Sequence, residues 1–307
     1  PELARDGQPP GPARHDAEIG PDGRIAAVEA QTGDADIQVD VVLPAPTNVH
    51  SHSFQRAMAG LTEARGPDAR DSFWTWRKLM YRFLEQLTPD QIEAIAAQVF
   101  MEMAAAGYGA VAEFHYLHHA PSGQTYDNIA ELAERIAAAA ETVGLGLTLL
   151  PVYYEFGGCD RRALQGGQTR FGNSKDRFAR LHSESRRIVE AGPEDWTIGS
   201  APHSLRAADM DGLTQARALA AGGPFHMHLA EQAAEVEEVE AALGARPVEW
   251  VLENLPIDAQ SCFVHCTQMT ADETTRLAQS GAVAGLCPIT ESSLGDGIFI
   301  GADFLGS

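Results

Sequence analysis

Hydrophobic positions along this chain follow two periods that take turns. After the helix-start signal Thr88-Pro89-Asp90, residues Ile92, Ile95, Ala96, Val99, Phe100 and Met103 recur at helical spacing until Gly107. The short apolar run Ala110–Tyr116 follows, at strand length. The cycle then repeats: helix 129–143 and strand Leu145–Tyr154, helix 176–191 and strand Trp196–His203, helix 209–221 and strand Pro224–Ala230. A helical stretch over 231–254, broken near Gly244 to Pro247, leads to strand Ser261–Cys266, and helix 271–280 leads to strand Ala282–Pro288. Helices of ten or more residues alternating with apolar runs of about 4–8 predict successive βα units and a parallel sheet.

The chain before this region reads differently. Residues 1 to about 40 hold Gly/Pro clusters and two strand-like runs, Arg24–Ala30 and Asp36–Leu43, which suit a small β appendage over 1–43. The run Val41-Val42-Leu43-Pro44 leads into Thr47-Asn48-Val49-His50-Ser51-His52, a first strand for the repeating part. A loop rich in Gly, Asp and Arg comes next, then an aromatic segment, Ser72 to Arg77, read as a loop able to close over a pocket. Counting the H-x-H strand there are seven strands, which predicts for 44–307 an α/β fold, a (β/α)₈ TIM-type barrel without strand eight. A doubly wound open sheet is the competing architecture, with less reason to place polar residues at every strand end.

Composition narrows the partners. Lys plus Arg number 22 against 43 Asp plus Glu, a formal charge of −21 that repels nucleic acid and anionic membranes. No apolar run approaches the roughly 20 residues that span a bilayer, and the start has no signal-peptide pattern, so a cytoplasmic location is expected. Cys159, Cys262, Cys266 and Cys287 show no C-x-x-C spacing and read as thiols of a reduced protein. Cys262 and Cys266 flank His265, where a zinc role competes with the plainer one of small apolar fillers.

Barrel active sites lie at the C-terminal ends of strands, and five of the seven runs finish in histidine. The first ends in His50 and His52, the second in His115, Tyr116, His118 and His119, the fourth in His203 and Arg206, the fifth in His226-Met227-His228, the sixth in His265. Alternate strand residues share a face, so His50 and His52 can grip one cation, with His228 as a third nitrogen ligand. Two ordinary histidines on a half-buried strand would give the same H-x-H. A divalent cation there lowers the pKa of bound water to about 7. Glu231, three residues after His228, is placed to shuttle protons; equally it could be an acidic residue favoured at a helix N-terminus. His226 is read as a structural neighbour of His228.

H-x-H after strand one, H-x-x-E after strand five and His after strand six resemble the amidohydrolase superfamily, aminohydrolase branch. The stretches Asn48 to Gly60, Asp71 to Arg77, Ala112 to His119, His203 to Ala207 and Thr290 to Phe299 resemble the formimidoylglutamate deiminases within it. The resemblance runs from about residue 22 to the end. It implies a metal-dependent hydrolase barrel with a flanking β-sandwich, one zinc ion, and hydrolysis of N-formimidoyl-L-glutamate to N-formyl-L-glutamate and ammonia in histidine degradation. His50, His52 and His228 would bind zinc, with Glu231 and His265 catalytic. Gln55, Arg77, Tyr116, His203 and Arg206 would hold the substrate, a dicarboxylate that guanidinium forks match in geometry. A homodimer is a further implication, to which no interface signature adds. The family's fourth ligand is an Asp ending strand eight, which Asp296 and Asp303 do not match; the sequence is therefore expected to be an incomplete copy of the barrel, with two unpaired edges. Competing functions are another aminohydrolase or an imidazolonepropionase-like hydrolase, or a truncated remnant without catalysis.

Overall fold

The structure, a computed structural model, describes residues 15–21, 24–31, 35–61 and 73–307, apart from the side chains of residues 73–75, 77 and 78. The chain divides into two compact units, Pro1–Pro44 and Ala45–Ser307. In the first, β1 (His15–Ile19) and β2 (Ile25–Ala30) pair antiparallel, His15 opposite Ala30, with an irregularity at Ile19. The strand expected over 36–43 does not form, and Val39, Val41, Val42 and Leu43 are 61–77% exposed. Their apolar pattern finds no ladder among the described residues, and a pattern alone does not satisfy backbone amides.

The second unit opens with β3 (Thr47–Ser51), followed by a 3₁₀ turn over Ser53–Met58. Then come α1 (Phe73–Leu84), α2 (Pro89–Ala105), β4 (Ala110–His115), α3 (Glu131–Val143), β5 (Gly146–Tyr153) and α4 (Lys175–Ala191). The next strand is broken into β6 (Thr197–Ile198) and β7 (Ala201–Pro202), before α5 (Met210–Ala220) and β8 (Phe225–Leu229). The last elements are α6 (Ala233–Leu243), α7 (Pro247–Asn254), β9 (Ser261–His265), α8 (Ala271–Gln279), β10 (Val283–Gly285), α9 (Pro288–Leu294) and α10 (Gly301–Gly306). The aromatic segment expected as a loop is thus the start of helix α1; five aromatics spaced along Phe73–Leu84 suit an amphipathic helix better than a lid, and Trp76 packs against the core. Helix α2 begins where its sequence signal puts it: the Thr88 side chain accepts from the Gln91 N–H and the Gln91 side chain accepts from the Thr88 N–H.

All strand pairs of this unit are parallel. β3, β4, β5 and the β6/β7 strand form one run, β8, β9 and β10 another. The two join at the Ser200 to Phe225 bridge, where the Ser200 N–H donates to the Pro224 carbonyl and the His226 N–H to the Ser200 carbonyl. Gly199 makes this junction sterically feasible, since a Cβ there would lie 2.3 Å from the Pro224 carbonyl oxygen. The seven-strand order is that of an α/β parallel fold, and its first and last strands approach one another: a Cβ on Gly285 would lie 3.4 Å from Cγ2 of Val49. Phe100, Leu132, Ile136, Phe178 and Phe263 are fully buried in the core, whose side chains come from strands and inward helix faces.

Candidate metal centre and active site

The H-x-H sits where the β3–β4 register shifts, between Asn48 and Ser51. The Asn48 side chain accepts from the His50 N–H at 3.0 Å, replacing a ladder bond. Beyond it, Glu113 on β4 accepts from the Ser53 N–H (2.8 Å) and hydroxyl (2.7 Å), so both sides of the H-x-H are tied down. Burial pushes the Glu113 carboxyl up to about 7, against the opposing hydrogen bonds from Ser51 and Ser53.

This backbone brings His50 and His52 against His228 from β8. Their Nε2 atoms lie 2.9 Å (His50–His52), 3.0 Å (His50–His228) and 3.3 Å (His52–His228) apart. Each Nδ1 has its own partner: Sγ of Cys287 at 3.0 Å for His50, the Phe114 carbonyl at 3.3 Å for His52, the His203 carbonyl at 3.1 Å for His228. Burial, followed by the neighbouring imidazoles, holds His50 and His228 well below the usual range; burial brings His52 to about 3, against its bond to the Phe114 carbonyl. Three neutral imidazoles aiming lone pairs at one point repel unless a cation stands between them. Nitrogens bound tetrahedrally to a metal at about 2.1 Å lie roughly 3.4 Å apart, close to the spacing here. The donor set therefore fits a divalent metal of the borderline-soft kind.

Beside the triad stands a second cluster. His265 ends β9 in the left-handed region (φ +75°), as does Cys266 (φ +52°), and Ala230 precedes Glu231 at φ +50°. Such conformations cost about 1–3 kcal/mol each and persist where surroundings over-determine them. Here Thr267 donates to the Glu231 carbonyl (2.6 Å) and the Cys266 N–H to the Leu229 carbonyl (3.0 Å). The result sets His265 between two buried carboxylates, with Nε2 3.4 Å from Glu231 and Nδ1 3.2 Å from Glu291. Burial opposes charge on His265, but its bonds to Cys287 and Glu291 and the Glu231 carboxylate outweigh that and raise its pKa to about 10. Burial also raises Glu231, opposed by His265. The Glu231 N–H donates to the Glu235 carboxylate at 2.9 Å.

Tyr116 and His203 flank the triad. The Tyr116 ring centroid is 4.4 Å from that of His52, and the His203 ring stacks 5.0 Å from that of His228. Arg206 is half-buried, its Nε without a hydrogen-bond partner among the described residues; burial opposes its charge, and acidic neighbours including Glu235 and Glu231 outweigh that and raise its pKa. Gln55 lies in the turn after the H-x-H, where its side-chain amide donates to the Met80 sulfur at 3.9 Å. Arg77 belongs to α1, and its side chain lies outside the described residues.

Cys262 and Cys266 are buried fillers, Cys262 pushed up to about 12 by burial. The thiol that reaches the histidines is Cys287, whose C-x-x-C-free spacing marks it as an ordinary thiol; its place four residues before Glu291 at a helix start is its only local sign. His118 and His119 bond carbonyls of Val152 and Gly172, away from the triad, and His226 is buried with a pKa lowered to about 4 by burial. Among the described residues two groups could hold a metal, His50–His52–His228 and His50–His265–Cys287; Asp296 is buried near His265 but belongs to neither, and Asp303 lies on α10.

The profile of the amidohydrolase family matches residues 41–303. The formimidoylglutamate deiminase of Pseudomonas aeruginosa is 47% identical over 293 residues, 94% of this chain and 64% of that protein. The crystal structure of an amidohydrolase from Brucella melitensis superposes with a TM-score of 0.90 at 46% identity, covering 96% of this chain and 65% of that one. An adenosine deaminase from Xanthomonas campestris with bound zinc shares the fold, with a TM-score of 0.68 at 20% identity over 86% of this chain and 53% of that one. This chain thus spans less than two thirds of the length of each of these relatives. With the parallel α/β fold, the converging histidines and these matches together, the chain belongs to the amidohydrolase family, whose members are metal-dependent hydrolases.

Proposed function

We propose that the protein hydrolyses N-formimidoyl-L-glutamate to N-formyl-L-glutamate and ammonia, as a zinc-dependent formimidoylglutamate deiminase of histidine degradation. The observation that carries this reading is the convergence of three Nε2 atoms within 3.3 Å beside the Glu231–His265 pair. His50, His52 and His228 hold one zinc ion, which when bound supplies an activated water at neutral pH. Glu231 takes a proton from the attacking water and delivers it to the amidine nitrogen that leaves as ammonia. His265 donates a hydrogen bond through Nε2 to the oxygen added at the formimidoyl carbon, so charge building there meets a fixed donor.

Two carboxylates orient the substrate, and the unpartnered Nε of Arg206 is a donor suited to one of them. Gln55, Arg77, Tyr116 and His203 complete the cradle, Tyr116 and His203 through their rings and polar tips against the triad. Residues 1–43 are a partial β-sandwich appendage and 44–307 the metal-dependent barrel. Among the described residues no helix is long and apolar enough to cross a membrane, and a cytoplasmic homodimer acting on a small molecule fits this reading.

The test is ammonia release from N-formimidoyl-L-glutamate, with metal assayed in the same sample. Turnover with about one zinc per chain, absent after chelation, is the expected result. Turnover of ring substrates such as pterins or purines in preference to the amidine would overturn the substrate, and turnover undiminished by chelation would overturn the metal.

A further inference from the structure

The triad and the acid–base pair share one support, and it lies on α9. Glu291 is buried, 4% exposed, one turn into that short helix. Its Oε1 accepts twice, from the Cys287 backbone N–H at 2.8 Å and from Nδ1 of His265 at 3.2 Å. The first bond fixes the residue whose sulfur lies 3.0 Å from Nδ1 of His50, where it accepts whenever Nε2 is given to a metal and Nδ1 keeps the proton. Glu291 is itself anchored, since its N–H donates to the Cys287 carbonyl (2.9 Å) and its carbonyl accepts from the Asp296 N–H (2.9 Å).

A histidine presents one nitrogen to its task according to the bond the other nitrogen makes. His52 and His228 have Nδ1 held by backbone carbonyls, which need no side chain. His50 and His265 have none, and for both the substitute traces back to Glu291. We propose that Glu291 is a positioning residue, holding Nδ1–H of His265 directly and Nδ1–H of His50 through Cys287, so that both rings present Nε2 to the reaction site. Glu291 touches neither metal nor substrate in this scheme. The catalytic part of the inference rests on the deiminase reading; the geometric part does not.

The experiment is a long-range proton–nitrogen spectrum of ¹⁵N-histidine-labelled, zinc-loaded protein, with His50 and His265 assigned by single substitution. Wild type is expected to show hydrogen-bonded Nδ1–H protons on both rings. Glu291→Leu should lose the His265 signal, while Glu291→Gln, which keeps a carbonyl acceptor, should retain it. By ammonia release, Glu291→Leu should lower kcat about 10- to 100-fold with KM within about twofold, and Glu291→Gln should recover most of that loss. Zinc affinity, read by chelator competition, should fall about 10- to 100-fold in Cys287→Ala. A bare Nδ1 on either ring of the wild type overturns the proposal whatever the variants do, and so does an unchanged His265 signal in folded Glu291→Leu. Should Glu291→Leu not fold, the wild-type spectrum and Cys287→Ala still decide. Absence of ammonia release by wild type with both Nδ1–H signals present would sink the deiminase reading and leave the positioning role standing.

Discussion

At the scale of single residues, the site works by separating acids from bases through their surroundings. Glu231 and Glu291 face the same imidazole from opposite sides, yet burial raises the first, whereas the hydrogen bonds from His265 and Cys287 outweigh burial at the second and lower it. Glu231 is thereby the carboxylate better matched to carry a proton at neutral pH. Replacing it tests that division of labour. Glu231→Gln keeps the shape and the backbone bond to Glu235, so zinc should stay bound while ammonia release falls by about 10²–10⁴. Unaltered release, measured with the metal content of the same preparation, would remove Glu231 from the chemistry. The H-x-H, Glu231 and His265 were legible in the sequence because strand ends and i, i+2 spacing are local properties. Cys287 and Glu291 were not, since nothing along the chain says that residues 237 positions apart, His50 and Cys287, meet.

At the scale of elements, the arrangement depends on how the broken strand is spliced to β8. Ser200 and His203 carry the hydrogen bonds that seat His226 and His228, so His228 reaches the triad only if this seam closes. Gly199 is the tightest point. A methyl group there would meet the Pro224 carbonyl oxygen at 2.3 Å and Leu150 Cδ2 at 2.6 Å, and the first is backbone that cannot turn aside. Gly199→Ala should therefore cost about 3 kcal/mol by denaturant unfolding and reduce metal binding. Gly301→Ala is the control, because its added Cβ meets Phe299 at an ordinary 3.6 Å; a similar loss in both would refute the steric argument. Helix limits from Thr88 onward followed capping and glycine signals closely, as for α2 and for the break between α6 and α7. The strand expected over Trp196–His203 is broken in two, and that over Ala282–Pro288 shortens to Val283–Gly285 before Pro288 opens α9. The absent strand over 36–43 and the helix in place of a loop at the aromatic segment share a cause. Short apolar stretches do not state their own conformation, and pairing or packing elsewhere decides it.

At the scale of the whole molecule, histidine burial sets the response to acid. Burial brings His115 to about 3 and His182 and His226 to about 4, each depressed below its unfolded value. The folded state binds fewer protons than the unfolded chain between those values and about 6.5, so stability falls as pH drops through that window. Each group costs about 2 kcal/mol at pH 5, and three approach the net stability of an ordinary domain. Acid unfolding with a midpoint between about pH 6 and 5, followed by circular dichroism, is expected. A flat profile to pH 4 would contradict it. Glu113 acts in the opposite direction: its folded pKa, raised to about 7, means that stability is lost as pH rises from about 4.5 to 7. Glu113→Gln should remove that second slope, raising stability at pH 8 by on the order of 3 kcal/mol relative to wild type, with little difference at pH 4.

By itself the sequence determined the alternation of helices and strands from Thr88 to Gly285, the parallel character of the sheet, and the histidine-rich strand ends. Those follow from periodicity, capping and the alternation of side chains on a strand, all of which operate over a few neighbouring residues. Only the tertiary structure decided that three Nε2 atoms from the end of β3 and from β8 lie within 3.3 Å, that Glu113 grips the turn after the H-x-H, and that Glu291 meets both His265 and the Cys287 backbone. These depend on the curvature of the sheet and on where buried polar groups find partners, which are set by packing across the fold.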